Sequence, residues 1–339
     1  MNTQKIFVYG VRNLFCAVAV IFALTFTACP QEEDTGGGGL SKWTAVENTA
    51  FNYNIMVIAY GSDGNTVNRF IISGGNKTAY SSKGANWTVV EDTTLPEGTL
   101  DAIAYGNGRF VAANGGEMAY SADGISWTAI SNSPLYAYAI AYGGGKFVAG
   151  GGMGVVAYST DGESWTKISN GSPFSNMPAD EINAIAYGGG RFVAVWGSGQ
   201  MAYSDDGESW TKVSDSTLGG TFLRAIAYGS DGKSVSRFVA GDSRGKMAYS
   251  DDGATWTAVT DSPFSIDTYQ HDQINAIAYG NGRFVAGGGM GKMASSSDGI
   301  TWTAVEDSTF NATTINGIAY GNGRFVAVGN GNKIAYADW

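Results

Sequence analysis

The heptapeptide SDDGATW, residues 250–256, places two adjacent carboxylates, Asp251 and Asp252, ahead of a glycine and a tryptophan. Paired carboxylates can act as the acid and base of a glycoside hydrolase. Acidic side chains this close together can also ligate a hard cation such as Ca²⁺. A third interpretation is a tight turn, in which an Asp side chain accepts hydrogen bonds from the backbone just ahead of it. Recurrence of the stretch along the chain separates these interpretations.

The stretch recurs as SADGISW (121–127), STDGESW (159–165), SDDGESW (204–210) and SSDGITW (296–302). The position of Asp251 is held in these copies by Ala122, Thr160, Asp205 and Ser297, so the carboxylate pair is incidental. The second acid is present in all five copies, as Asp123, Asp161, Asp206, Asp252 and Asp298. Five separate copies cannot converge on one substrate. A structural turn is therefore favoured, in which the Gly adopts a left-handed conformation and the Trp buries a large surface.

This pattern resembles the Asp-box of the BNR-like β-propellers, a superfamily that includes sialidase-like and YCF48-like proteins, with one residue fewer between Asp and Gly. The resemblance extends over the chain that follows the N-terminal segment. It implies a propeller fold, but no single activity, because one fold carries many functions.

The repeats that position these turns predict the same architecture. The tetrapeptide IAYG occurs seven times, and each unit contains four segments of alternating polarity, such as LDAIAY, RFVAA, EMAYS and SWTAI. Four short strands repeated every forty or so residues are typical of a propeller blade. We expect an all-β, seven-bladed β-propeller with four-stranded blades. The last unit lacks its fourth strand, and strand 41–46 (SKWTAV) is expected to complete it and close the ring.

The N-terminus reads as a processing segment. Lys5 and Arg12 precede a short apolar run that ends at Cys29. We expect a lipoprotein signal peptide at residues 1–28, a lipidated Cys29 with an acidic, glycine-rich linker at 29–40, and the propeller at 41–339. Phe26 lies three residues before Cys29, where lipoprotein signal peptides usually have Leu. Cleavage by ordinary signal peptidase and an uncleaved membrane anchor therefore remain alternatives. The expected location is the bacterial cell envelope, at the outer membrane or cell surface rather than the inner membrane.

Charge and cysteine content exclude several classes. Cys16 would leave with the signal peptide, so no disulfide framework is possible. The formal net charge is −10, and the absence of a basic tract argues against nucleic-acid binding. With a single histidine, no second one to join it, and Cys29 expected to be lipidated, we expect no metal and no cofactor. A monomer is expected.

Strand order assigns the loops to two faces. The Asp-box turns and the hairpins before each RF or KF pair share one face, which we term the turn face. The inter-blade connections and the glycine loops after RFVA share the other, the connection face. The linker enters strand 41–46 from the turn face, so the connection face should point away from the membrane. Each turn-face hairpin carries a cation, which either binds anionic lipid or glycan or pairs with acids of its own blade: Arg69, Arg109, Lys146, Arg191, Arg237, Arg283 and Arg324. The acidic net charge favours pairing.

Function is expected where the repeat is broken on the connection face. One residue before each AIAY-like segment should ring the mouth of the central channel, and here Asp101, Tyr138 and Arg224 depart from the Asn found in three copies. The glycine loops contain Trp196, Asp242 and Arg244, and the longest connections add Tyr269 and His271. Such a mixture of aromatic and charged residues is typical of a binding site. Alternatively, Trp196 covers a neighbouring blade and the charges are solvated.

Three functions are compatible with these residues. A non-catalytic module displayed by a lipid anchor, binding an envelope or extracellular protein or glycan, is favoured. The alternatives are a YCF48-like envelope assembly factor and a sialidase-like glycoside hydrolase. Of the arginines that a sialidase needs, only Arg224 and Arg244 reach the connection face, both in one blade. A two-carboxylate glycosidase would draw on Asp180, Glu181, Asp242 or Asp272.

Overall fold

The computed structural model describes residues 4–9, 20–22, 42–47, 51–91, 94–168, 173–174, 181–264 and 272–338. These residues form seven antiparallel sheets of four strands, one of which carries two additional strands. The innermost strands of successive sheets pack side by side around a closed ring. The predicted all-β, seven-bladed propeller is therefore confirmed. We number the blades 1 to 7 in the order of the IAYG copies.

The strands have the following bounds in blades 1 to 7. The inner strands are Val57–Ser62, Ala102–Gly106, Ala137–Gly143, Ile182–Gly188, Leu223–Ser230, Ile274–Gly280 and Ile315–Gly321. The second strands are Asn68–Gly74, Arg109–Asn114, Lys146–Gly151, Arg191–Trp196, Ser236–Asp242, Arg283–Gly288 and Arg324–Gly329. The third strands are Lys77–Ser81, Glu117–Ser121, Val156–Ser159, Gln200–Ser204, Met247–Ser250, Met293–Ser296 and Ile334–Asp338. The outer strands are Thr88–Val89, Thr128–Ile130, Thr166–Lys167, Thr211–Lys212, Thr257–Ala258, Thr303–Ala304 and Thr44–Ala45.

Helical structure in the described ranges is confined to single 3₁₀ turns at the tips of glycine loops: Gly152–Gly154, Gly197–Gly199 and Gly289–Gly291. No helix among the described residues is long and apolar enough to cross a membrane.

Strand Thr44–Ala45 closes the ring, as predicted. It pairs antiparallel with Ile334–Asp338, with Thr44 opposite Tyr336 and Ala45 opposite Ala335. The backbone N–H of Val46 adds a hydrogen bond of 2.8 Å to the Ile334 carbonyl. Trp43, beside this strand, is buried. The first blade-forming strand of the chain and the last therefore share one sheet.

Two further strands, Gln4–Tyr9 and Val20–Phe22, lie in the segment predicted to be a signal peptide. Gln4–Tyr9 pairs with the inner strand Ala137–Gly143 of blade 3 and with Val20–Phe22. Both strands lie against inner strands of other blades, which places them at the central channel. The predicted cleavage point and Cys29 lie outside the described residues.

A contact between glycine and tyrosine explains the IAYG repeat. The Gly that ends each tetrapeptide lies directly beneath the Tyr ring of the following blade, and a β-carbon built on Gly188 would lie 1.9 Å from Cγ of Tyr228. No side chain fits in that space. The contact occurs in all seven blades, through the pairs Gly61–Tyr105, Gly106–Tyr142, Gly143–Tyr187, Gly188–Tyr228, Gly229–Tyr279, Gly280–Tyr320 and Gly321–Tyr60.

Each of these Tyr rings also packs on a Phe of its own second strand. The ring centroids of the seven Tyr–Phe pairs are 4.6 to 4.9 Å apart in tilted geometry. Such aromatic pairs contribute about 0.5–1.5 kcal/mol beyond the area they bury. The Tyr therefore joins its own sheet to the preceding blade.

We expect Gly188→Ala to lower the free energy of unfolding by about 2–3 kcal/mol, because the added methyl overlaps the Tyr228 ring. Gly219→Ala is the matched control, since nothing lies within 4 Å of a β-carbon there and its backbone is not left-handed. Denaturant unfolding of both variants measures the difference. Equal stabilities would show that the Gly–Tyr contact does not hold the blades together.

Candidate functional site

The adjacent carboxylates Asp251 and Asp252 have two separate structural roles. Oδ1 of Asp252 accepts hydrogen bonds from the N–H groups of Ala254 (2.8 Å) and Thr255 (2.7 Å) and from the Ser250 hydroxyl (3.0 Å). Asp251 instead pairs with Arg237 at 3.1 Å. The two carboxylates therefore do not act together on a ligand.

The other four Asp turns repeat this geometry. Their acids accept from the backbone N–H groups two and three residues ahead and from the Ser hydroxyl two residues before: Asp123, Asp161, Asp206 and Asp298. Burial raises the pKa of Asp161 and Asp206, but the hydrogen bonds outweigh it and lower each pKa to about 2. In blade 1, where Lys83 replaces the acid, Ser81 still accepts from Gly84 at 2.8 Å.

Five turn-face cations form ion pairs, three within a blade and two between neighbouring blades. Three pair with acids of their own blade, as predicted: Arg191 with Asp205, Arg237 with Asp251, and Arg324 with Asp338. Two reach the turn of the next blade, which sequence analysis missed: Arg109 to Glu163 and Lys146 to Glu208. In six blades the cation also lies 4.1 to 5.3 Å from the centroid of a Tyr ring of its own third strand.

Most of the channel-mouth residues occupy β-bulges. In each of blades 3 to 7 the pairing register between the inner strand and the second strand shifts at one residue of the inner strand. These residues are Tyr138, Asn183, Arg224, Asn275 and Asn316. A bulge redirects a side chain. The three Asn amides turn to the next blade and donate to its backbone carbonyls at Leu223 (2.7 Å), Ile315 (3.0 Å) and Ile55 (2.9 Å).

The three departures from Asn at this position are buried. Asp101, Tyr138 and Arg224 are each no more than 6% exposed. Asp101 accepts from the backbone N–H of Gly115 at 2.9 Å, and the ring of Tyr138 lies over Gly152. All three residues are therefore buried, in blades 2, 3 and 5, and they do not form an exposed site.

Trp196 does not lie on the surface, where sequence analysis had placed it. It is 1% exposed and packs edge-on against Phe174, with ring centroids 4.8 Å apart. Trp196 ends its strand opposite Ile182, and the connection from blade 3 covers it there. The alternative interpretation, that Trp196 covers a neighbouring part of the fold, agrees with this packing.

Asp242 is likewise fully buried, and its neighbour Arg244 is exposed. The Asp242 carboxylate accepts from the Thr221 hydroxyl at 2.6 Å and from the N–H groups of Arg244 and Lys246 at 2.8 Å. It shapes the loop that presents Arg244. Tyr269 and His271 lie outside the described residues, so of the eight predicted ligand-binding residues only Arg244 is both described and exposed.

A different set of side chains dominates the connection face. Five of the six large apolar side chains exposed in the described chain lie there: Tyr53 (66%), Tyr136 (55%), Met153 (66%), Phe222 (55%) and Met290 (47%). Sequence analysis missed Tyr53, Tyr136 and Phe222, since nothing in the strand pattern fixes the exposure of a connection. Their position along the chain could have indicated two of them, because Tyr136 and Phe222 each lie two residues before a β-bulge.

The two methionines sit at loop tips in an unfavourable backbone conformation. Met153 has a φ of 56° and Met290 a φ of 53°, both left-handed, and glycines flank each. Such a conformation costs a non-glycine residue roughly 1 kcal/mol. Asn supplies seven of the twelve left-handed non-glycine residues among the described positions. Strained, exposed methionines point to a role in contact with a ligand.

The tips rest on a rigid base. In three blades a Ser of the following connection donates its hydroxyl to a tip carbonyl: Ser216 to Gly199, Ser262 to Gly245 and Ser308 to Gly291.

A groove of about 470 Å³ lies at the seam of blade 7, between Val46–Glu47, Thr309 and Asn332. None of the predicted site residues lines it. The described residues contain no group of three His, Cys, Asp or Glu side chains that could hold a metal ion.

Comparison with known proteins gives the fold a context. Residues 38–187 match the DUF6242 beta propeller domain. No curated protein matches the sequence.

YCF48 bound to D1 peptide is 15% identical, with a TM-score of 0.65 over 89% of this chain and 96% of that one. YCF48 from Cyanidioschyzon merolae is 14% identical, with a TM-score of 0.65 over 87% and 98%. A catalytically inactive virginiamycin B lyase from Staphylococcus aureus with quinupristin is 13% identical, with a TM-score of 0.69 over 88% and 99%. At these identities the likeness concerns the fold alone.

The Asp turns should make stability depend on pH. Asp206 has a folded-state pKa of about 2 against an ordinary 3.8, so its contribution is complete above pH 4 and disappears as the pH falls towards 2. We expect Asp206→Asn to lose about 1 kcal/mol at pH 7, because the side chain is largely exposed, and much less at pH 2, where its carboxylate is about half protonated. Unfolding curves across this range measure it. Asp205→Asn is the control, and an equal pH dependence in both variants would contradict the assignment.

The tip methionines should limit stability. We expect Met153→Asn and Met290→Asn each to raise the free energy of unfolding by up to about 1 kcal/mol, because Asn accepts the left-handed backbone more readily. Thermal unfolding of the single and double variants is the measurement. Met293→Asn, at a buried position in a regular strand, should be strongly destabilising. A loss of stability in the tip variants would show that these methionines support the fold.

Proposed function

We propose that this protein is a non-catalytic binding module whose connection face holds a partner protein or peptide. The observation that carries the proposal is the concentration of exposed Tyr, Phe and Met side chains on that face. Apolar side chains exposed together on one face are a common mark of a protein-interaction surface. Aromatic residues, Met and Arg are also the types enriched in protein–protein interfaces.

The burial of Trp196 favours a protein partner over a glycan. Trp196 was the aromatic residue on which a sugar ring would have stacked, and it is 1% exposed. Flexible methionine side chains adapt to the varied surface of a protein partner. A related propeller, YCF48, has been solved with a D1 peptide, which is a precedent for peptide binding on this fold.

A hydrolase receives less support from the described carboxylates. Asp242 accepts hydrogen bonds from two N–H groups of its own loop and from the Thr221 hydroxyl of the preceding connection. Asp272 is buried and forms an ion pair with Lys292. Each would have to leave these partners before it could act as a catalytic acid or base.

Display on the cell envelope through a lipidated Cys29 completes the proposal, and cleavage before Cys29 would remove strands Gln4–Tyr9 and Val20–Phe22 from the central channel. The chain enters outer strand Thr44–Ala45 from the turn face, because the outer strand of each blade runs from its Asp turn to the connection face. A lipid anchor attached before this strand would hold the turn face towards the membrane. The connection face would then be free to meet a partner, whether the module acts as a receptor or as an assembly factor.

The test is a parallel screen of the purified protein against a displayed library of random 12-residue peptides and against a glycan array. We expect the library to yield binding peptides. Their affinity should fall at least tenfold for the triple variant Met153→Asn, Phe222→Ser and Met290→Asn, because the apolar contacts are lost. The control is Ile300→Ser, which removes an exposed apolar side chain from the turn face. Peptides that bind all three proteins equally, or binding to glycans alone, would overturn the proposal.

A further inference from the structure

We propose that the junction of blades 4 and 5 on the connection face binds an extended peptide segment that carries an acidic residue next to an apolar one. This inference rests on the proposed function and names its principal subsite. We define the junction by Ser198, Gly219, Gly220, Phe222 and Arg244. All five residues are described. Ser198 and Arg244 lie at the loop tips of blades 4 and 5, and Gly219, Gly220 and Phe222 lie in the connection between these blades.

The floor of the junction has no side chains. Gly219 and Gly220 form the middle of the connection from blade 4 to blade 5, and nothing lies within 4 Å of a β-carbon built on either. Ser198 borders them with a small, exposed side chain at the tip of blade 4. A glycine floor lets another backbone approach closely, which suits an extended peptide.

Phe222 forms the apolar side of the junction. Its ring is 55% exposed although its backbone is fixed, since its carbonyl accepts the N–H of Ser243 at 2.9 Å. Thr221, the preceding residue, is buried and donates its hydroxyl to the Asp242 carboxylate at 2.6 Å, with the Leu218 carbonyl 3.1 Å from the same oxygen. The exposed ring is therefore held on a rigid base and loses little entropy when a partner binds.

Arg244 forms the charged side. It occupies the tip position that Met153 holds in blade 3 and Met290 in blade 6, and it is exposed. The acid of its own loop and the acid of the connection from blade 4 already accept backbone hydrogen bonds. Asp242 is fully buried and bonded to its loop, and Asp215 accepts the N–H of Thr217 at 2.7 Å. On a chain of net charge −10, a cation presented in this way selects a carboxylate.

The occupant follows from these three features together. A backbone lying along the glycine floor would place one side chain on Phe222 and a neighbouring one near Arg244. Extended peptides commonly bind in this way, with the backbone along an open surface and individual side chains conferring specificity.

The experiment uses the same library of displayed 12-residue peptides and three variants of the intact protein. Gly219→Trp fills the open floor without touching the fold, and Arg244→Met removes the charge while keeping a residue that this tip carries in other blades. Thr314→Trp is the control, because it places the same Trp side chain at the blade 7 position equivalent to Phe222. Thermal unfolding confirms that all three variants fold.

We expect the selected peptides to share an acidic residue beside an apolar one and to lose at least tenfold in affinity with Gly219→Trp and with Arg244→Met. Thr314→Trp should change little. Affinity for the native protein should fall with added salt, and for Arg244→Met it should not. Arg244→Glu should regain affinity when the acidic residue of the peptide is replaced by Lys.

Two results would overturn the inference. Peptides that lose affinity with the triple variant of the connection face but bind Gly219→Trp and Arg244→Met normally would leave the proposed function standing and remove this subsite. A library that yields no binding peptide would remove both proposals.

Discussion

The whole ring depends on the contact between the Gly of one blade and the Tyr of the next. The contact occurs seven times and includes the closing pair Gly321–Tyr60. Because it admits no β-carbon, it sets the distance between neighbouring inner strands. The Asn amides that donate to the next blade and the ion pairs Arg109–Glu163 and Lys146–Glu208 act across blades at that spacing. One steric constraint therefore positions the polar contacts on both faces.

The residues that suggested chemistry are largely used to maintain this geometry. Asp252 stabilises a turn, Asp242 shapes a loop, and Asp272 is held by Lys292. What the fold leaves open to a ligand is its set of connections and tips. The division has a physical reason, since an acid with several good hydrogen-bond donors loses its freedom to react, whereas an apolar ring on a fixed loop keeps its contact surface.

Periodicity was sufficient to predict the blades, their order and the strand that closes the ring, because each repeat carries the same alternation and the same breaks. It could not place Trp196, since a residue at the end of a strand faces solvent or a neighbouring segment according to the path of a distant connection. It could not find the partner of Arg109, because Glu163 becomes a neighbour only when two blades are packed. Tyr136 and Phe222 were missed for a related reason, as the exposure of a loop residue depends on what lies above it.

The closing strand has a mechanical consequence. Thr44–Ala45 is two residues long, lies at the outer edge of blade 7, and is the first part of the ring that the chain enters. In a chain cleaved before Cys29, tension applied ahead of residue 42 would act on this short strand and on buried Trp43 before it reached any other blade. Strand Thr44–Ala45 would then bear the force first, and its few hydrogen bonds to Ile334–Asp338 would set the force at which the ring opens.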